Sequence, residues 1–325
     1  MIAYGQGADG RASPLSLRQH EFVLLRDLVA ERFGLQYADE LAYLLERRLL
    51  PRVEALGLRS FLDYHDYLVN SALPSDERER ELAEVFERLS TRETYFFRES
   101  YQLDALRSEL LPRLAETRRR TRSLRLLSAG CASGEEAYSL AMTVCQTGLF
   151  ERGWDIQIVG CDQSQRALEI ARRGSYGRSS FRRIDDAILK TYFHPSSASE
   201  YAVNEAVRRL CRMEFVQANL SLADAQWGEP GMAQQALLGP FDAIFCRNLL
   251  IYFERARRVP LLQGLAARLR SDGYLFLGHS ESLHELKTPF VLDRLAGELV
   301  YRLAAPSHDF ASHSAEAGPL PRTCE

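Results

Sequence analysis

Five short stretches of this sequence carry residue types and spacings that could hold a small charged ligand and act on it. The first reads Ala129-Gly130-Cys131-Ala132-Ser133-Gly134-Glu135-Glu136. It follows the apolar run LRLLSA and precedes a helical pattern, so its glycines let a ligand approach the backbone at a strand-to-helix turn. The dinucleotide fingerprint Gly-x-Gly-x-x-Gly is absent. Two glutamates stand where a pyrophosphate would meet the helix N-terminus, and anion would repel anion there. Acid at that place suits a ligand with a cationic group, such as an ammonium or a sulfonium. The second is Asp162, ending IQIVGCD. A carboxylate there can accept both ribose hydroxyls of a nucleoside, or it can cap the helix at 164–173; spacing leaves both open. The third, Asn219-Leu220, follows MEFVQA where an adenine ring could be clamped, although loop asparagines are ordinary turn formers.

The fourth stretch, FDAIFCRNLLIYF (241–253), ends a strand at Arg247-Asn248 and places Tyr252 about one turn later. Ligands bind outside the carboxyl ends of strands in open α/β sheets, so these residues face the same crevice as Asp162. The fifth, Ser90 to Glu99, joins an N-terminal segment to the rest. Its adjacent Phe96 and Phe97 are expected to wedge one domain onto another, with Arg98 beside them able to point into the cleft.

The elements that must position these residues follow from periodicity. Residues 1–14 and 306–325 are expected to be flexible tails. Residues 15–90 read as a small all-helical domain. Phe22, Leu25, Leu28, Val29 and Phe33 form one helical stripe stopped by Gly34, a second helix starts at Asp39, Ser60 caps a third, and a fourth starts at Ser75. Pro51 is expected to interrupt or kink the second. Residues 91–123 are a linker and a basic connecting helix. From 124 to 305 strand, turn and helix alternate, which argues for a mainly parallel sheet covered by helices on both faces. FVLDRL and LVYRL are expected to close it as an antiparallel hairpin at the sheet edge. Residues 175–212 break the rhythm, and the pieces EYAV and AVRRLC suggest a small inserted β-subdomain with a hairpin.

Composition removes other classes. With 46% hydrophobic and 26% charged residues the chain reads as an ordinary globular protein. No apolar run reaches the ~18 residues of a membrane span and no secretory signal is visible, so a cytoplasmic protein is expected. The six cysteines show no Cys-x-x-Cys pair, so no metal site is expected. Nearly all positive charge is arginine, but the net charge of −3 argues against a nucleic-acid partner.

Taken together, RETYFFRE (92–99), GCASGEEAYS (130–139), GCDQS (160–164), QANL (217–220), FDAIFCRNLLIYF and DGYLFLGHSESL (272–283) resemble the chemotaxis receptor methyltransferase family, CheR, over residues 17–303. A generic methyltransferase shares only the second and third. The resemblance implies a Rossmann-like class I methyltransferase sheet and S-adenosylmethionine as cofactor, with S-adenosylhomocysteine as product. It implies esterification of glutamates on the cytoplasmic helical domain of membrane chemoreceptors, by a monomer with no membrane insertion of its own. Arg92, Thr94, Arg98, Gly130, Glu135, Asp162, Asn219, Leu220, Arg247 and Asn248 resemble the cofactor-binding set. Arg98 and Tyr252 resemble the residues nearest the transferred methyl, and Arg48 and Arg52 a receptor-docking pair. Some members carry asparagine at the place of Arg92 and proline at the place of Ala137. Two other readings stay open: the same fold acting on RNA or a small molecule, and a non-catalytic receptor-binding scaffold.

Overall fold

Apolar residues three and four apart put one buried stripe on each of four N-terminal helices. The computed structural model describes residues 15–70, 72–90, 93–150, 153–221 and 235–304. In it these helices are α1 (Gln19–Phe33), α2 (Ala42–Ala55, entered through a 3₁₀ turn Asp39–Leu41), α3 (Phe61–Val69) and α4 (Ser75–Leu89). Phe22, Leu25, Val29, Leu45, Leu49, Phe61, Tyr64, Leu82 and Val85 meet in one core. Ser60 Oγ accepts the Asp63 N–H at 3.0 Å and caps α3. The buried Glu81 carboxylate takes the Tyr64 hydroxyl at 2.7 Å and the Arg52 guanidinium at 2.9 Å, so its charge is compensated inside the bundle. Contrary to the expected interruption, α2 continues through Pro51. Pro51 lies on the exposed face, where water can take the Arg47 carbonyl that a proline leaves without its helical donor.

The linker leads into α5 (Ser100–Ala105), a π turn Leu106–Leu110 and α6 (Leu111–Thr117). Then follow β1 (Ser123–Ala129), α7 (Glu135–Thr147), β2 (Asp155–Asp162) and α8 (Gln165–Arg173). The inserted unit comprises β3 (Ser175–Gly177), α9 (Asp186–Tyr192), β4 (Phe193–Pro195), β5 (Glu200–Val203) and α10 (Glu205–Leu210). Its strands form a three-stranded antiparallel sheet with β5 central. EYAV is β5, but AVRRLC lies mostly in α10: it has one β-branched residue, and Ala, Arg and Leu favour helix. Phe96 packs against Tyr176, Phe181 and Phe193, so it wedges the linker onto this inserted unit.

The chain returns through β6 (Arg212–Gln217), β7 (Phe241–Cys246), α11 (Arg255–Arg268), β8 (Leu269–Leu277), β9 (Phe290–Leu295) and β10 (Glu298–Leu303). The large sheet has the order β6-β2-β1-β7-β8-β10-β9, with β6, β2, β1, β7 and β8 parallel and β10 antiparallel to both its neighbours. Every residue of β7 is buried, as a strand covered on both faces requires, whereas edge strand β9 buries only its ends. One core, on the side of α6 and α7, holds Leu126, Tyr138 and Phe245; the other, on the side of α11, holds Leu127, Ile244 and Leu262.

Candidate active site

Successive strands lie to one side of β1 until the chain crosses to β7 on the other, so a crevice opens beyond the carboxyl ends of β1 and β7. The helical bundle covers it. Gln36 N–H donates to the Tyr252 carbonyl at 3.0 Å and Asn219 Nδ2 to the Arg32 carbonyl at 3.1 Å. Gly34, at φ 71°, allows the close approach, because a Cβ there would lie 2.5 Å from the Phe253 ring. The cavity between bundle and sheet holds about 220 Å³.

Its wall carries charges of both signs. Glu136 Oε1 accepts the Ser128 hydroxyl at 2.6 Å, and Oε2 stands 3.3 Å from Arg247 Nη1. Burial pushes the Glu136 carboxyl above its ordinary value, partly opposed by Arg247. Asp162 Oδ2 accepts the Ala132 N–H and Oδ1 the Ser164 N–H, both at 2.9 Å, so it shapes two turns while lining the cavity. The Arg247 side chain is 2% exposed and donates to the Arg98 carbonyl at 2.5 Å. Its Nε–H is buried and has no hydrogen-bond partner among the described residues. Asn248 adopts φ 55° and donates its N–H to Glu281 at 2.7 Å. Arg98 Nη1 donates to the Glu93 carbonyl at 2.8 Å. Burial pushes the Tyr252 phenol up, against the lowering pull of Arg98, so it stays a proton donor near neutral pH. Positive φ at Phe97, Glu99, Ala132 and Asn248 concentrates backbone strain around this one site.

Thr94, Arg98, Gly130, Asp162, Leu220, Arg247, Asn248 and Tyr252 thus meet at one cavity. Glu135 does not reach its wall: the carboxylate accepts Ser133 Oγ at 2.7 Å and Ser180 Oγ at 2.8 Å, and its neighbour Glu136 takes the place. The Asn219 side chain bridges Arg32 and Ser221 beside the cavity. Arg48 is itself a wall residue, with Nη1 on the Leu89 carbonyl at 2.6 Å, and Arg52 is committed to Glu81. Arg92 lies outside the described residues. Of the two glutamates that open α7, the resemblance picks Glu135 whereas the structure puts Glu136 at the cavity; Glu99, Glu281 and His279 stand out by no spacing of their own.

Residues 92–295 match the family model for the CheR methyltransferase SAM binding domain, and residues 20–90 that for the CheR all-alpha domain. The chain belongs to the CheR methyltransferase family. Among its relatives is chemotaxis protein methyltransferase 2 of Vibrio cholerae, 32% identical over 84% of this chain and 89% of the relative. The chemotaxis protein methyltransferase of Escherichia coli is 32% identical over 89% of this chain and 93% of that one. Chemotaxis protein methyltransferase 1 of Pseudomonas aeruginosa is 31% identical over 89% and 99%. This CheR protein is therefore an S-adenosylmethionine-dependent protein-glutamate methyltransferase. Among the described residues no helix is long and apolar enough to cross a membrane.

The cavity fits that cofactor. Its amino-acid end carries an ammonium and a carboxylate, and the wall carries the Glu136 carboxylate and the Arg247 guanidinium. Gly130, at φ 78°, keeps the floor open: a Cβ there would come within 3.0 Å of Leu249. A pyrophosphate would meet two glutamates in the first turn of α7, anion against anion.

Proposed function

We propose that this CheR enzyme acts on glutamates of the helical cytoplasmic domain of membrane chemoreceptors, as a monomer in the cytoplasm, and that Arg98 and Tyr252 receive the acceptor side chain. The observation that carries this reading is the convergence of Arg98, Arg48 and Tyr252 on the cavity that also holds Glu136 and Asp162. Cationic and phenolic donors suit an anionic acceptor, and a cavity wall of mixed sign suits a zwitterionic cofactor.

Bound S-adenosylmethionine would supply a methyl group on a sulfonium, the carboxylate oxygen taking the methyl in line as the S–C bond breaks and S-adenosylhomocysteine leaves as the neutral thioether. A glutamate, with an ordinary pKa of about 4.3, arrives already ionised, so no general base is needed. The protein's task is orientation and exclusion of water, worth roughly 7–11 kcal/mol in favourable cases. Arg98 orients the incoming carboxylate while Glu93 holds its guanidinium from behind. Tyr252 donates its hydroxyl proton as a hydrogen bond and keeps it. For the cofactor, Glu136 would take the ammonium, Arg247 and Asn248 the carboxylate, Asp162 the ribose and Leu220 the adenine. Gly130 would give clearance, with Thr94 on the same wall and Asn219 beside it. On α2, Arg47 is exposed while Arg52 is spent on Glu81, so Arg47 is the charge offered to an acidic receptor helix.

The test is transfer of labelled methyl to membranes containing candidate receptors. The label should appear on the receptor and leave as methanol in mild base. Base-stable label, or none on any receptor, would sink the reading.

A further inference from the structure

Glu99 enters the site without facing the cavity. Its backbone is left-handed, at φ 51°, where it leads into α5, and its side chain is 8% exposed. Oε2 stands 3.2 Å from Arg247 Nη2 and accepts the His279 N–H at 3.3 Å. Oε1 is 2.8 Å from His279 Nδ1 and accepts Asn248 Nδ2 at 3.5 Å. Three segments therefore converge on one carboxylate: the linker, the loop after β7 and the loop after β8. Burial raises the affinity of this carboxyl for its proton, but Arg247 and His279 outweigh it and hold the group below its ordinary range. A buried carboxylate kept ionised in a sparsely populated backbone conformation marks a site where geometry is enforced.

We propose that Glu99 is a positioning residue for methyl transfer, fixing the Arg247 guanidinium and the Asn248 carboxamide toward the cofactor's polar end, with His279 holding it from the solvent side. This rests on the cofactor reading of the cavity. Arg247 has only a few ways to satisfy five donors. With one terminal nitrogen held by Glu99 and the Arg98 carbonyl, and the other by Glu136, the guanidinium is fixed in one orientation at the cavity wall. Without the Glu99 charge the guanidinium can turn toward Glu136, which spends the carboxylate needed elsewhere.

The experiment uses the full chain and its Glu99→Gln, Glu99→Asp and His279→Gln variants. S-adenosylhomocysteine affinity is read by calorimetry, with KM for S-adenosylmethionine, KM for receptor, kcat and the melting midpoint. Glu99→Gln should weaken S-adenosylhomocysteine about tenfold or more, the loss of one charge-assisted contact, and leave receptor KM within about twofold. Glu99→Asp, shorter but charged, should recover part of that affinity, whereas a purely structural role would favour the isosteric glutamine. His279, with a side chain 63% exposed, can change without unfolding the protein, and His279→Gln should weaken the same ligand about threefold. Glu99→Gln binding within twofold of the parent, aspartate binding no better than glutamine, or an unchanged His279→Gln would each overturn the proposal. Failure of the parent itself to bind S-adenosylhomocysteine would instead overturn the cofactor reading.

Discussion

Replacing Glu136 with glutamine removes one charge from the cavity while keeping the shape of the side chain. In the free protein two effects oppose. The carboxylate loses its 3.3 Å attraction to Arg247, but the cost of burying an ion also disappears, the same cost that pushes this carboxyl up. The melting midpoint should therefore move little. In the complex only the loss remains: a charge-assisted hydrogen bond to the ligand's ammonium, about 1.5–3 kcal/mol, or roughly 10- to 150-fold in affinity. Titration calorimetry with S-adenosylhomocysteine measures this directly. Glu135→Gln is the control, because Glu135 is occupied by Ser133 and Ser180 and should cost less than about threefold. If Glu135→Gln loses more affinity than Glu136→Gln, the assignment of the cationic subsite is refuted.

Further outcomes follow from the same geometry. Only ionised Glu136 can hold the ammonium, and burial raises its pKa. Affinity for S-adenosylhomocysteine should thus fall as pH drops, beginning above the ordinary carboxylate value of 4.5, with protons released on binding in acid; calorimetry in buffers of different ionisation enthalpy reads both. Tyr252→Phe should lower kcat/KM for receptor about tenfold, leaving its pH profile unchanged, since the phenol gives a hydrogen bond and not a proton. Gly134→Ala should destabilise the fold by about 2–3 kcal/mol in thermal or denaturant unfolding. Gly134 opens α7 at φ 92°, and a Cβ would sit 2.7 Å from that of Ala171. Arg47→Glu should raise receptor KM in methylation assays without changing S-adenosylhomocysteine affinity. Arg52→Ala should instead lower stability by about 1–3 kcal/mol, measured by unfolding, because it leaves the Glu81 carboxylate, 7% exposed, without its cation.

Much of this architecture is written in local pattern. The α1 stripe and its Gly34 stop, the Ser60 cap, the strand FDAIFC and the closing antiparallel pair each depend on residues near in sequence, and all appear as read. So does the convergence of Asp162, Arg247 and Asn248, because strand ends in a parallel sheet share one edge. What sequence could not resolve depended on direction and long-range partners. Glu135 and Glu136 are identical in type, and only the rotation of α7 against Ser128 and Ser180 decides which one meets the cavity. Arg48 and Arg52 read as surface charge until the packing of α4 supplies the Leu89 carbonyl and Glu81 as partners. Glu99 was invisible as a hub because its contacts, Arg247 and His279, lie about 150 and 180 residues away and only the sheet brings them together.

Whether the mixed-charge cavity holds a sulfonium nucleoside is tested most directly by a crystal structure of the protein with S-adenosylhomocysteine, the demethylated product. The ligand should lie with its ammonium against Glu136, its carboxylate on the Arg247 guanidinium and its ribose on Asp162. A nucleoside bound elsewhere, or one lying in the cavity with its amino-acid end turned away from Glu136 and Arg247, would contradict it.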